Sequence, residues 1–505
     1  VAIDNEDAGD DDEPEHYWYY FQANGKALKQ GDSDKVSLKT VNGKKYAFDD
    51  EGKMLYGWVD ENSAERIDNT DGDAFKEATY YFGGEDDGAM TTGWLLTDVT
   101  YNEATNDDYK YTAAAFNDDE DQTRWFYFKS NGKMIKADNG ERTKDKTING
   151  KKYAFDEYGA MVAEWSLDEG DEKIASKSEE RAKASVDVAT TSEAWNGAGN
   201  YAKYTQAWRY FNSVEDGSRV SKGWFKVVAA EMLNKDKYDD DEDAWYYADG
   251  NGRIYTAAFK TIKGKKYAFR EDGRMVNGLK FIKQNNAGEI IGVVADDNTG
   301  HPFDTEDDFV KNAPYWNENG YYCYYFGDGD DGAMRTNKTN ITIDGDSFNF
   351  YFEKSGGHKG AGKTGEKDKK YYQSGMLLKA GSDEKYQVVK TLDAANDTND
   401  SNEAISGYMK LDDVKAFLDE VGVTSTTNPS SVTLSSYGIS KKADDIDELY
   451  IIPSTDQDGQ NVAGKYFLVN TSGKVVDNKS RNRDGNDYYY CVNASGNIVA
   501  IYTEK

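Results

Sequence analysis

Outside its acids, this 505-residue chain is poor in the side chains that most often carry out chemistry. His16, His301 and His358 stand apart, with no metal-ligand partners nearby in sequence. Cys323 and Cys491 lie in similar settings, Tyr321-Tyr322-Cys323-Tyr324-Tyr325 and Tyr488-Tyr489-Tyr490-Cys491. Both read as buried thiols in strands, with a disulfide as the alternative. The acidic turns Asp328-Gly329-Asp330-Asp331-Gly332 and Asp68-Asn69-Thr70-Asp71-Gly72-Asp73 offer oxygen ligands of the kind Ca²⁺ takes, yet neither has the closing Glu of an EF-hand loop. They read as solvated turns, Ca²⁺ being the one cofactor they would suit. There are 93 acids, but none sits in a plausible catalytic segment, and no nucleophile elbow, phosphate loop or Cys-His arrangement occurs. The expectation is a protein that is not an enzyme.

The abundant chemistry is aromatic: 38 Tyr, 21 Phe and 10 Trp. These rings are carried by a repeated element. Thr40 to Met54, Thr147 to Met161 and Thr261 to Met275 are near copies, each with Asn/Lys-Gly, then Lys-Lys-Tyr-Ala-Phe, an acidic turn ending near Gly, and Met. Tyr46 and Phe48 alternate with Lys45 and Ala47, which predicts a strand with Tyr and Phe inward and Lys and Ala outward. The turn and Lys53-Met54-Leu55 predict a return strand. A lone hairpin is marginal in water, so such units must stack.

Related hairpins fill the chain. Trp18-Tyr19-Tyr20-Phe21, Trp125-Phe126-Tyr127-Phe128 and Trp245-Tyr246-Tyr247 each open a round of three, closed by hairpins at Tyr80-Tyr81-Phe82, Trp208-Arg209-Tyr210-Phe211 and Tyr324-Tyr325-Phe326. A degenerate fourth round follows from Phe348. Equivalent hairpins recur roughly every 110 residues, which predicts an all-β fold, a β-solenoid of stacked hairpins with about three per turn. Two small, largely helical or irregular insertions interrupt it. Glu169 to Ala189 reads as a polar helix or loop, and Lys410 to Val421 as an amphipathic helix with Leu411, Val414, Phe417, Leu418 and Val421 on one face. The predicted division is an acidic tail (1–15), a first solenoid part (16–165), the polar insertion (166–200), a second solenoid part (201–390), the helix-bearing insertion (391–448) and C-terminal hairpins with a cap (449–505).

The net charge of -32 and pI near 4.5 argue against nucleic acid as a partner and against anionic membrane surfaces. No apolar run is long enough to insert in a bilayer. The start at Val1 suggests a processed N-terminus, and with it a secreted, extracellular protein.

Trp-Tyr-Tyr-Phe, an Asn-Gly or Asp-Gly turn, Met and then Gly-Trp (Gly57-Trp58, Gly93-Trp94, Gly223-Trp224) resembles the cell-wall-binding, or choline-binding, repeats of Gram-positive surface proteins. Asn-Gly-Lys-Lys-Tyr-x-Phe is equally similar to glucan-binding repeats of glucansucrases and receptor-binding repeats of large toxins. The resemblance implies a solenoid of hairpins with cages of Trp and Tyr faces between them, where a ring quadrupole holds a quaternary ammonium. Carried onto this sequence, the walls are Trp18 and Tyr20, Trp125 and Tyr127, Trp245 and Tyr247, closed by Trp58, Trp94, Trp165 and Trp224. Lys45/Ala47, Lys152/Ala154 and Lys266/Ala268 replace the outward aromatics of the central hairpins, which removes one potential wall per round. The implied function is noncatalytic binding of choline-bearing wall polymer or glycan at the cell surface. The alternative is a structural subunit that self-assembles through solenoid packing into an extracellular filament or surface layer.

Overall fold

The structure is a computed structural model that describes residues 1–10, 12–101, 120–138, 142–167, 200–230, 233–294, 303–477 and 481–505. The polar stretch predicted at Glu169 to Ala189, most of the 166–200 insertion, and His301 lie outside these residues. The described chain is mainly β and falls into two compact units. One holds residues 1–167, 200–256 and 272–274, the other residues 257–271 and 275–505. Their sheets are small, from two to five strands.

The repeated motif builds two tight turns in series. Lys39–Val41 pairs antiparallel with Lys44–Tyr46 across Asn42-Gly43, whose φ values of 50° and 83° make the left-handed turn that suits strand twist. Lys146–Ile148 with Lys151–Tyr153, and Ala258–Ile262 with Lys265–Phe269, repeat this. The main ladder therefore runs to the preceding strand, while the predicted return strand is a single bridge at Phe48↔Met54, Phe155↔Met161 and Phe269↔Met275. The second turn is held by its own side chain. Asp49 accepts the N–H groups of Glu51 (3.0 Å) and Lys53 (2.7 Å), and Asp156 those of Tyr158 and Ala160 (both 2.9 Å). Asn470 and Asn493 cap later turns in the same way.

Successive hairpins are linked by one repeated contact. In the first unit, Met90 lies against Gly132, Met134 against Gly159 and Met161 against Gly217; in the second, Met275 lies against Gly332 and Met334 against Gly360. A hydrogen bond accompanies the contact: the N–H groups of Met54, Met134 and Met161 donate to the carbonyls of Trp18, Thr79 and Trp125 at 2.8–2.9 Å. The spacing of Gly and Met is thus a packing rule, with a flexible thioether filling the gap over a residue that has no side chain.

Three segments depart from expectation. The acidic N-terminus is not a free tail: Ala2–Asp4 pairs with His16–Trp18, and Asp12 binds Arg66 at 2.5 Å. Ala47, Ala154 and Ala268 do not face outward; all three are fully buried. Each is small because the following hairpin covers that face too, with Phe82, Phe211 and Phe326 in the respective clusters. The amphipathic helix starts later than predicted, at Val414, because Gly407–Lys410 is a strand paired with Tyr386–Leu392. Asp413 caps it through Ala416 N–H, Gly422 ends it in the left-handed region, and its apolar face packs on Tyr466, Leu468 and Ile501.

Candidate aromatic binding sites

The Trp that follows each such turn, after Met54, Met90, Met161 or Arg219, lies in the strand paired with the next aromatic strand. The registers repeat: Trp58↔Tyr81, Trp94↔Tyr127, Trp165↔Tyr210 and Trp224↔Tyr247. Directly opposed residues share a sheet face, and the residue two before the Tyr reaches that face diagonally. Three of the four sites have Trp there, so three rings meet. Trp94 stands 5.9 Å from Trp125 and 5.1 Å from Tyr127, at 84° and 76°. Trp224 stands 6.2 Å from Trp245 and 5.2 Å from Tyr247, at 90° and 76°. Trp165 stands 6.3 Å from Trp208 and 5.2 Å from Tyr210, at 85° and 75°. Near-perpendicular rings present edges to faces, which suits their quadrupoles and leaves a concave angle between planes.

The sites differ in what covers them. Trp94, Trp125 and Tyr127 are half-buried, resting on Tyr153, Phe155 and Met161. Trp224, Trp245 and Tyr247 are likewise half-buried; Tyr255 stacks on Tyr247 at 5.0 Å, and the Trp245 indole N–H has no acceptor. Trp165 and Trp208 are buried beneath Tyr201 and Tyr204 of the helix Asn200–Ala207, and burial pushes the Tyr210 phenol up to about 12. Trp58 is buried against Phe75, Tyr81 and Phe126. Trp18 belongs to no such group: it lies 6.1 Å from His16 and donates from Nε1 to Asp86 (2.9 Å), while Tyr20 is exposed.

No protein-family model matches the chain. Glucosyltransferase-S of Streptococcus mutans is 25% identical over 325 residues, which is 55% of this chain and 17% of that relative's length. Among solved structures, the modular autolysin LytC of Streptococcus pneumoniae aligns with 80% of this chain and 58% of its own, at 15% identity and a TM-score of 0.30. Choline binding protein F of the same organism aligns with 74% of this chain and 100% of its own, at 17% identity and a TM-score of 0.26. The chain thus spans about a sixth of the length of that glucosyltransferase.

Of the residues carried over from that repeat family, two groups come together, Trp94/Trp125/Tyr127 and Trp224/Trp245/Tyr247. Trp58 and Trp165 serve the core instead, and Trp18 and Tyr20 are joined by no closing Trp. Trp208 and Tyr210, outside the carried-over set, have the W-x-Y spacing of Trp125 and Tyr127 and form the third group with Trp165. Because that group is filled from within, Trp165→Ala is expected to cost about 3–5 kcal/mol of stability, as large buried aromatics do. Ligand retention by the folded fraction should stay unchanged; urea unfolding and affinity chromatography of the same preparation check both.

The remaining chemical candidates are committed locally. Asp68 accepts from the N–H and hydroxyl of Thr70, Asp331 pairs with Arg335, and Cys323 and Cys491 are buried free thiols. Burial pushes Cys491 up to about 12, which keeps it protonated and unreactive. Among the described residues no three His, Cys, Asp or Glu side chains are grouped to hold a metal, and no helix is long and apolar enough to cross a membrane.

Proposed function

We propose that this chain is a noncatalytic cell-surface repeat protein whose stacked hairpins form a β-solenoid and whose half-buried ring clusters bind choline-bearing wall polymer or glycan. The observation that carries this reading is the recurrence of one partly open geometry at Trp94/Trp125/Tyr127 and Trp224/Trp245/Tyr247, with ring separations matching within about 0.3 Å. Rings needed only for the core would be covered, as they are at Trp165. Concave aromatic faces take a quaternary ammonium by cation–π attraction, worth about 0.5–2 kcal/mol per face, and the net charge of -32 favours a cationic group at long range. A sugar would present its C–H face to the same rings. The names of the similar proteins, a choline binding protein and a glucosyltransferase, agree with both ligand classes.

The test is retention on choline-bearing and glucan-bearing matrices. Trp125→Ala and Trp224→Ala are each expected to weaken retention several-fold, and together to abolish it, with the circular dichroism spectrum unchanged. Undiminished retention of the double variant would sink the reading; elution by free choline or by free glucan identifies the ligand.

A further inference from the structure

The second unit holds a further group of rings that lies outside the Trp registers. Tyr371, on the strand Lys370–Gln373, stands 5.0 Å from Tyr408 and 4.1 Å from Phe467, and Tyr408 stands 6.3 Å from Phe467. Separate strands bring them together. Phe467 opposes Val389 and Tyr408 opposes Thr391, two positions apart on the strand Tyr386–Leu392, so both rings reach one face of that sheet. The N–H of Tyr408 donates to the buried Gln373 Oε1 at 2.8 Å, which ties the strand of Tyr371 alongside. Phe467 is buried beneath, whereas Tyr371 and Tyr408 are half-buried.

The oxygens around these two rings lack donors. Neither phenol has a hydrogen-bond partner among the described residues, and neither oxygen is shut off from water. Glu366 directly opposes Tyr371 across its hairpin, on the same face, and is exposed. It accepts the Lys369 N–H (2.6 Å), but the carboxylate makes no ion pair among the described residues. Its charge reaches both rings: burial raises the two phenols, Tyr408 adds to the rise at Tyr371, and Glu366 adds at each. No lysine pulls either phenol back. The nearby ammonium groups are directed elsewhere, Lys367 to Asp368 and the Tyr351 ring and Lys369 to Asp477, while Lys370 and Lys474 oppose each other on the other face of the strand.

We propose that Tyr371, Tyr408 and Glu366 form a site for a primary alkylammonium group, of the kind carried by a lysine side chain or an amino sugar. An ammonium seated between the two rings meets their negative faces and the uncompensated carboxylate. Its N–H groups supply donors to the phenol and carboxylate oxygens, which a quaternary ammonium lacks. The site shares no residue with the Trp clusters and does not rest on their ligand.

Calorimetric titration at low salt of the full chain carrying Trp125→Ala/Trp224→Ala, which removes the open Trp clusters, tests it with Nα-acetyl-lysine amide and with glucosamine. The Nε-acetylated and Nε-trimethylated lysine probes are the comparisons. The primary ammonium is expected to bind at least roughly tenfold more tightly than the acetylated form and several-fold more tightly than the trimethylated one. Glu366→Gln, at an exposed position where an oxygen remains for the Lys369 N–H, should weaken binding about fivefold, and Tyr408→Leu by a similar factor with the circular dichroism spectrum unchanged. Binding of either primary amine supports the proposal, and the tighter of the two identifies the carrier. Equal affinity for the acetylated or the trimethylated form, no binding at millimolar probe, or full affinity in Glu366→Gln would each overturn it.

Discussion

Replacing Asp156 with Asn raises the stability of this protein at pH 7 and above and leaves it unchanged near pH 4. The Asp156 carboxyl is buried in the turn between Phe155 and Met161, and burial pushes it up to about 7, with nearby Glu157 adding to the rise. The N–H groups of Tyr158 and Ala160 pull the other way but do not offset the loss of water. Between the ordinary carboxylate value and about pH 7, the folded chain holds a proton that the unfolded chain has released. Stability therefore falls as pH rises through that window and levels off above it, by at most about 4 kcal/mol for a rise from 3.8 to about 7. An Asn side chain keeps an oxygen for both N–H groups without the charge, as Asn470 and Asn493 show in equivalent turns. Thermal midpoints of both proteins from pH 4 to pH 9 decide the matter: the variant should lose the downward slope, and an identical slope refutes the account. Asp49 caps the sister turn half-buried, and burial raises it in the same direction, so Asp49→Asn should act in the same sense more weakly.

The hairpins were legible in the sequence because their determinants are local. Asn42-Gly43 sets the first turn, Asp49 caps the second, and the Met-to-Gly spacing carries the contact between neighbours. What the sequence hid is set by residues far along the chain. Trp58, Trp94 and Trp165 find their partners at Tyr81, Tyr127 and Tyr210, across connections of unequal length, so no fixed interval announces the pairing. Gly57-Trp58 and its relatives therefore looked like the end of one hairpin, whereas they pair with the next. Alternation along a strand implies one buried face only where the other meets water; at Ala47, Ala154 and Ala268 neighbours cover both faces. The helix Glu306–Glu318 carries Pro314 inside it, which hides it from a reading of sequence alone, although Thr305 caps it through Asp308 N–H. The two open ring clusters were legible as residue types; whether a cluster is open depends on Phe75, Tyr201 and Tyr204, which no ring spacing reveals.

The contact that joins hairpins predicts the other large effect. Gly159 has φ of 86°, and a Cβ there would stand 2.7 Å from the Met134 sulfur. In Gly159→Ala the left-handed backbone costs about 1–2 kcal/mol and the overpacking about 1–3 kcal/mol, so a total near 2–5 kcal/mol is expected. Only the second part depends on Met134. Met134→Ala alone should also destabilise, by about 2–5 kcal/mol, since it empties a buried site beside Phe126 and Phe128. The double variant should be more stable than the sum of the two losses implies, with a coupling of about 1–3 kcal/mol, because the new methyl occupies space the thioether has left. Urea unfolding of the four proteins yields that coupling. Strict additivity would mean that the turn glycine is required by its backbone conformation alone, and the link between neighbouring hairpins would then rest on the Met134 N–H bond to the Thr79 carbonyl and its equivalents.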